Sequence, residues 1–202
     1  MVTREGCKSL ASILPIFAEI IYYMIQHPWH EISNSYNRQK SSVDGIIEIS
    51  KGSKAKYEVD KPSGLIRLDR VVFAAFVYPI NYGFIPGTLG DDGDPLDILV
   101  LSEVSITPLC LVRSRVIGYM QMKDGGKNDE KIIAVAEGDM SVAHISSLEL
   151  IPENFKLELK HFFTNYKTLM NKEVTVDEFR SRDEALTVID ECIARYHNAF
   201  DK

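Results

Sequence analysis

Asp92-Gly93-Asp94-Pro95-Leu96-Asp97, followed at once by Ile98-Leu99-Val100-Leu101, is the stretch around which this chain is organised. The unbroken apolar run reads as a buried strand. The three carboxylates therefore stand at its mouth, on a turn that Gly93 and Pro95 hold in shape. Three like charges within six residues raise one another's pKa unless something positive neutralises them. A divalent cation with oxygen ligands is the usual answer. An acidic surface turn is the competing explanation, since Asp, Gly and Pro are common turn residues. The rest of the chain has to decide.

The 202 residues suffice for one sizeable core. A hydrophobic content of 45% and a charged content of 26% are those of an ordinary soluble globular protein. The formal net charge of -6 disfavours nucleic-acid binding, which needs a basic surface, and suits a site that holds cations. Cys7, Cys110 and Cys192 are far apart and odd in number, with no CxxC zinc pattern, which points to a reducing compartment.

Residues 10–25 are apolar but are interrupted by Pro15 and Glu19 and are too short to span a bilayer comfortably. No small-x-small cleavage site precedes His27-Pro28-Trp29. Ile13, Ile16, Phe17, Ile20, Ile21 and Met24 follow helical spacing, which predicts a helix packed on the domain or on a partner. An organelle-targeting or membrane-surface role is the alternative, with Glu5 and Glu19 counting against a mitochondrial presequence. Residues 31–43 are polar and read as a linker. The expected organisation is an N-terminal extension over 1–43 and a single domain over 44–202.

Within that domain, residues 46–49 form a short strand candidate. Residues 56–59 and 65–68 form a hairpin across Lys61-Pro62-Ser63-Gly64. Lys56 and Glu58, two apart, share a strand face. Residues 78–87 read as an irregular stretch rich in aromatics. A long strand over 111–122 with a kink at Gly118, a polar loop over 123–131 and a strand over 132–136 follow. Two helices close the chain. One starts near Pro152 with Phe155, Leu159, Phe162, Phe163 and Tyr166 on its apolar side. The other runs from about Asp183 to Phe200 with Leu186, Ile189, Ile193 and Tyr196. Strands in the middle and helices at the ends predict an α+β fold around a small barrel.

A metal site needs more than one acidic turn, and Asp124 and Asp129 supply a second. All five aspartates stand at strand ends, so two loops on one rim would bring them together. Mg²⁺ is bound through a few carboxylates plus substrate phosphate and keeps several waters. An EF-hand is excluded by its interior: Asp92, Asp94 and Glu103 fall at positions 1, 3 and 12, but Leu96 and Asp97 replace a ligand and the turn glycine. Lys56, Arg70, Lys131, Lys167 and the phenols of Tyr82 and Tyr166 are candidate donors to a polyanion. Their alternation with acids fits a surface salt-bridge network equally well. No nucleophile elbow, phosphate-binding glycine loop or Cys-His pair is present.

With those residues in place, the chain resembles the soluble family I inorganic pyrophosphatases, the plant-type branch most closely. The signature Asp-Gly-Asp-Pro-x-Asp is complete at 92–97. Ile47-Glu48-Ile49, Lys56-Tyr57-Glu58, Asp69-Arg70, Tyr78-Pro79, Asn81-Tyr82-Gly83, Asp124 with Asp129 and Lys131, and His161-Phe162-Phe163 with Tyr166-Lys167 support it in order. The resemblance implies a five-stranded oligonucleotide-binding-like β-barrel flanked by helices, behind an N-terminal helical extension. It also implies hydrolysis of inorganic diphosphate to two phosphates with several Mg²⁺ ions, for which Mn²⁺ substitutes. By position, Asp92, Asp97 and Asp129 match the principal metal ligands, and Asp124 a ligand of ions arriving with substrate. Glu48 and Glu58 match supporting acids of the cavity. Lys56, Arg70, Tyr82, Lys131, Tyr166 and Lys167 match phosphate contacts, and Asp94 the residue that takes a proton from the attacking water.

The resemblance further implies a cytoplasmic homo-oligomer, a hexamer ahead of a dimer or monomer, with no nucleic-acid partner and no stable membrane insertion. The sequence departs from the bacterial pattern after Lys167 and at Phe179, where a tryptophan is common, but not among the ligands. Two other classes stay open on the residues alone. One is another metal-dependent phosphohydrolase, with Tyr78 or Phe84 under a base. The other is a non-catalytic barrel.

Overall fold

A computed structural model describes residues 27–73, 75–168 and 174–201. The helix expected over residues 10–25 lies outside these. Nine strands are described: β1 Ser42–Ile49, β2 Ala55–Val59, β3 Ile66–Val71, β4 Asn81–Phe84, β5 Asp97–Leu101, β6 Leu111–Asp124, β7 Lys127–Asn128, β8 Lys131–Ala136 and β9 Val174–Arg180. Two α-helices follow the central strands, α1 Glu153–Asn165 and α2 Arg182–Phe200, so the α+β class holds. No described helix is long and apolar enough to cross a membrane.

Seven strands form one mixed sheet in the order β1-β4-β5-β8-β6-β7, with β9 on β6 and a further pairing of β1 with β6. The cycle β1-β4-β5-β8-β6 thus returns to β1. β5 and β8 run parallel and the other pairs antiparallel. β2 and β3 form a separate hairpin whose register slips between Lys56 and Tyr57.

The apolar runs are continuous because both faces of their strands are buried. Ile98 and Val100 of β5 join Ile132 and Ala134 of β8, under Leu186, Ile189 and Cys192 of α2. Leu99 and Leu101 point the other way, with Ile133, Val135, Met120 and the α1 residues Leu159, Phe162 and Phe163. Each such large side chain contributes ~1.5–3 kcal/mol by leaving water.

The helices begin and end where the sequence suggests. Ser181 and Glu184 form a reciprocal capping box at the start of α2, and Pro152 precedes α1. The kink expected at Gly118 is a register shift in the β6–β8 pairing between Val116 and Gly118.

Three strands escaped the sequence reading. β4 has four residues, among them Gly83, whose missing Cβ lets it approach the Ile46 carbonyl: a Cβ there would stand 1.9 Å from that oxygen. β7 is a two-residue return of β6 through Gly125-Gly126, so the polar loop is a tight hairpin. β9 alternates buried Val174 and Val176 with exposed residues at the edge of the sheet. The polar stretch over 31–43 is pinned rather than loose. Asn34 donates to the Pro86 carbonyl at 2.7 Å, Tyr36 to Leu186 at 3.2 Å, and β1 starts at Ser42.

Candidate active site

The carboxylates meet because of strand register. Asp97 begins β5 and is paired with Lys131, the first residue of the parallel β8. Asp129 lies two residues before Lys131. Asp124 ends β6, next to the hairpin that leads there. The turn holding Asp92 and Asp94 is built by its own hydrogen bonds: Gly90 N donates to Asp94 O at 2.7 Å, and Asp94 N to the Asp92 side-chain Oδ1 at 3.0 Å. Gly93 takes φ +91° within it, a conformation glycine reaches without steric cost. The β2–β3 hairpin covers the other side and brings Lys56, Glu58 and Arg70. Tyr166 and Lys167 come from the end of α1.

These residues surround a cavity of about 310 Å³. Its wall includes every residue singled out from the sequence: Glu48, Lys56, Glu58, Arg70, Tyr82, Asp92, Asp94, Asp97, Asp124, Asp129, Lys131, Tyr166 and Lys167. It also includes Trp29, Tyr57, Val59 and Lys61, which sequence reasoning did not select, along with Phe84, named only under the nucleotide alternative, and Pro95, named only for the turn. Lys61 and Trp29 carry no spacing signal, since one is a hairpin-loop lysine and the other precedes the first strand. Asp69, in the slipped part of β3, pairs with Lys56 at 3.2 Å and with Arg70 at 2.8 Å.

Amino groups and carboxylates interleave throughout. Lys131, 2% exposed, pairs with both Asp97 and Asp129. Lys167 pairs with Asp124, Lys56 with Glu58, and Lys61 with Asp94. Glu48 Oε1 accepts from the Val59 amide at 2.7 Å, tying β1 to the hairpin.

Burial sets the titration of the buried acids. It pushes Glu48 up to about 8, against the Val59 hydrogen bond. It pushes Asp97 above the usual carboxylate range, with Lys131 holding it partly back. Burial opposes the charge on Lys131, but Asp97 and Asp129 overcome it and raise its pKa. Lys56 is lowered, by burial first and then by the neighbouring Arg70. The Tyr82 phenol is raised well above its ordinary value by burial.

Among the described residues no three carboxylates, imidazoles or thiolates are gathered into a ready-made metal cage. The donor set is nonetheless all oxygen, half-buried and open to one cavity, with cationic ammonium groups lying among the acids. That chemistry fits Mg²⁺, which binds through one or two carboxylates plus substrate oxygens and waters rather than a full protein cage. It does not fit a soft or imidazole-bound metal.

The family model described as inorganic pyrophosphatase matches residues 45–197. The chain belongs to this family. The soluble inorganic pyrophosphatase 2 of Chlamydomonas reinhardtii is 42% identical over 174 residues, 86% of this chain and 90% of its own length. A soluble inorganic pyrophosphatase of Solanum tuberosum is 45% identical over 163 residues, 81% of this chain and 77% of its own. Plant and algal pyrophosphatases are thus among its relatives, as the plant-type resemblance implies. The crystal structure of the inorganic pyrophosphatase from Thermus thermophilus superposes with a TM-score of 0.76 at 43% identity, covering 80% of this chain and 94% of that one. A pyrophosphatase is a hydrolase acting on diphosphate, so the family relationship favours an enzyme over a non-catalytic barrel.

Proposed function

We propose that this pyrophosphatase hydrolyses inorganic diphosphate to two phosphates in the cavity beside β5, with Mg²⁺ as its cofactor and Mn²⁺ as a substitute. The observation that carries this reading is the convergence of Asp92, Asp97, Asp124 and Asp129 with Lys56, Arg70, Lys131 and Lys167 on one small cavity. A substrate with three to four negative charges is repelled by any anionic nucleophile, so positive charge has to arrive with it and stay on both phosphates.

In this reading Asp92, Asp97 and Asp129 hold the principal ions and Asp124 those that arrive with substrate, while Glu48 and Glu58 support the acidic wall. Bound there, Mg²⁺ supplies charge neutralisation and lowers the pKa of the attacking water. Asp94 orients that water and takes its proton. Lys56, Arg70, Lys131 and Lys167 stabilise charge as it grows on the transferring and leaving phosphates, and the Tyr82 and Tyr166 phenols donate to them. The Lys-carboxylate pairs hold both partners in place until substrate exchanges into them.

The cycle of five paired strands is read as the oligonucleotide-binding-like barrel. The catalytic unit is one domain over 44–202, preceded by an extension over 1–43. A cytoplasmic location and a homo-oligomer, a hexamer ahead of smaller forms, complete the proposal. The test is phosphate release from diphosphate with Mg²⁺ or Mn²⁺, set against nucleoside triphosphates and a fluoride control. Preference for a nucleotide, or no hydrolysis with either ion, overturns it.

A further inference from the structure

The stretch His27-Pro28-Trp29-His30 precedes the segment matched by the family model, yet it reaches the cavity. Trp29 is 4% exposed and forms part of the wall. Its indole N–H donates to the Thr88 carbonyl at 2.8 Å. The Thr88 hydroxyl donates to Ile85 O at 2.6 Å and accepts the Leu96 amide at 2.9 Å. Leu96 lies between Asp94 and Asp97, so this route ends inside the acidic turn.

A second route ends there too. The His27 Nε2 donates to the Lys61 carbonyl at 2.9 Å, while His27 and Pro28 close on Gly64 in the hairpin loop. The Lys61 ammonium lies 5.7 Å from the centre of a Trp29 ring. It donates to Gly93 O at 3.2 Å and pairs with Asp94.

Both members of the Lys61–Asp94 pair are half exposed, so the pair adds little to stability. What it does fix is direction. One ammonium holds a backbone carbonyl of the turn and the carboxylate of the next residue, while an aromatic face limits where that ammonium can go.

We propose that Lys61, steered by Trp29, is a positioning residue for Asp94. It rests on the reading of Asp94 as the acceptor of the water's proton. By holding Gly93 and Asp94 together it keeps that carboxylate over the cavity without itself binding substrate. A loss of alignment of this kind lowers the rate of the chemical step more than it lowers affinity.

The test uses the full chain, Mg²⁺ and diphosphate, with thermal melting run on each variant. Lys61→Met lowers kcat about tenfold and leaves KM within about twofold. Lys61→Arg recovers most of kcat, because a cation is restored at the same place. Trp29→Leu lowers kcat in the same sense, and the Trp29→Leu/Lys61→Met double variant loses less than the product of the two single losses, because part of the Trp29 effect passes through Lys61. Trp29→Phe, which keeps a ring face, loses less than Trp29→Leu.

An unchanged kcat in Lys61→Met overturns the inference, as does a raised KM at constant kcat, which would make Lys61 a substrate contact. So does failure of Lys61→Arg to recover activity, or losses that multiply in the double variant. An active wild type with indifferent variants removes only the role of Lys61. A wild type that does not hydrolyse diphosphate removes the reading of the site itself.

Discussion

Lys131 is the register partner of Asp97 across the parallel β5–β8 pair, and its buried ammonium also reaches Asp129. One lysine therefore sits between two acids assigned to the same cations. Removing it leaves two carboxylates with nothing between them. Lys131→Met is expected to lower the melting temperature markedly in EDTA, since breaking a buried pair costs about 3–5 kcal/mol. Saturating Mg²⁺ should recover more stability in the variant than in the wild type, while kcat stays at least about a hundredfold down. Melting curves with and without Mg²⁺, beside steady-state rates, check both halves.

Asp94 and Asp97 stand three residues apart in different surroundings. Asp94 is exposed on the turn and meets Lys61, whereas Asp97 starts a strand among Lys131, Asp129 and Tyr82. Asp94→Asn should keep Mg²⁺ affinity within a few-fold and lower kcat by about 10²–10⁴. Asp97→Asn should weaken Mg²⁺ binding itself. Isothermal titration with Mg²⁺ separates the two, and equal Mg²⁺ affinities in both variants would remove the division.

Glu48 gives the metal-free protein a pH dependence with a definite sign. Burial raises its pKa from 4.5 to about 8, so the native state holds the proton more tightly than the unfolded chain. Its contribution is most favourable below 4.5 and is lost as pH rises toward 8, by a few kcal/mol in all. In EDTA, the stability of Glu48→Gln should fall less between those limits than that of the wild type. Urea titrations across the window measure it, and parallel slopes for the two proteins would refute the assignment.

Gly83 lets β4 lie against β1. A Cβ there would meet the Ile46 carbonyl at 1.9 Å and its carbon at 2.7 Å, both backbone atoms that cannot rotate away. Gly83→Ala should therefore cost about 3 kcal/mol or more, through overpacking and a shifted strand pair. Tyr82, next to it, would be displaced from the cavity. Chemical denaturation reads the first effect. A raised KM for diphosphate in whatever folded protein remains reads the second.

Much of the site was readable because its chemistry is written in local runs. Asp92 to Asp97 before an apolar strand announces an acidic mouth in any fold. The two-residue spacing of Lys56 and Glu58 places them on one strand face before any partner is known. The helices at 153–165 and 182–200 follow from a 3.6-residue period, while the Ser181 cap that sets the start of the second came only with the structure. β4, β7 and β9 were less legible because short, glycine-bearing or edge strands carry too few alternations to stand out.

The sequence by itself determined the kinds of groups available, the strand and helix periods, and the acidic turn at the start of β5. Only the tertiary structure decided which lysine meets which acid, because pairing depends on register between strands distant in the chain. The Asp97–Lys131 pair exists because β5 and β8 lie parallel, and Asp124 joins them because β6 ends at the same rim. The contact of Trp29 and Lys61 with the turn is a still longer-range outcome. It forms when residues 27–30 fold back over the β2–β3 hairpin, and no local period encodes that closure.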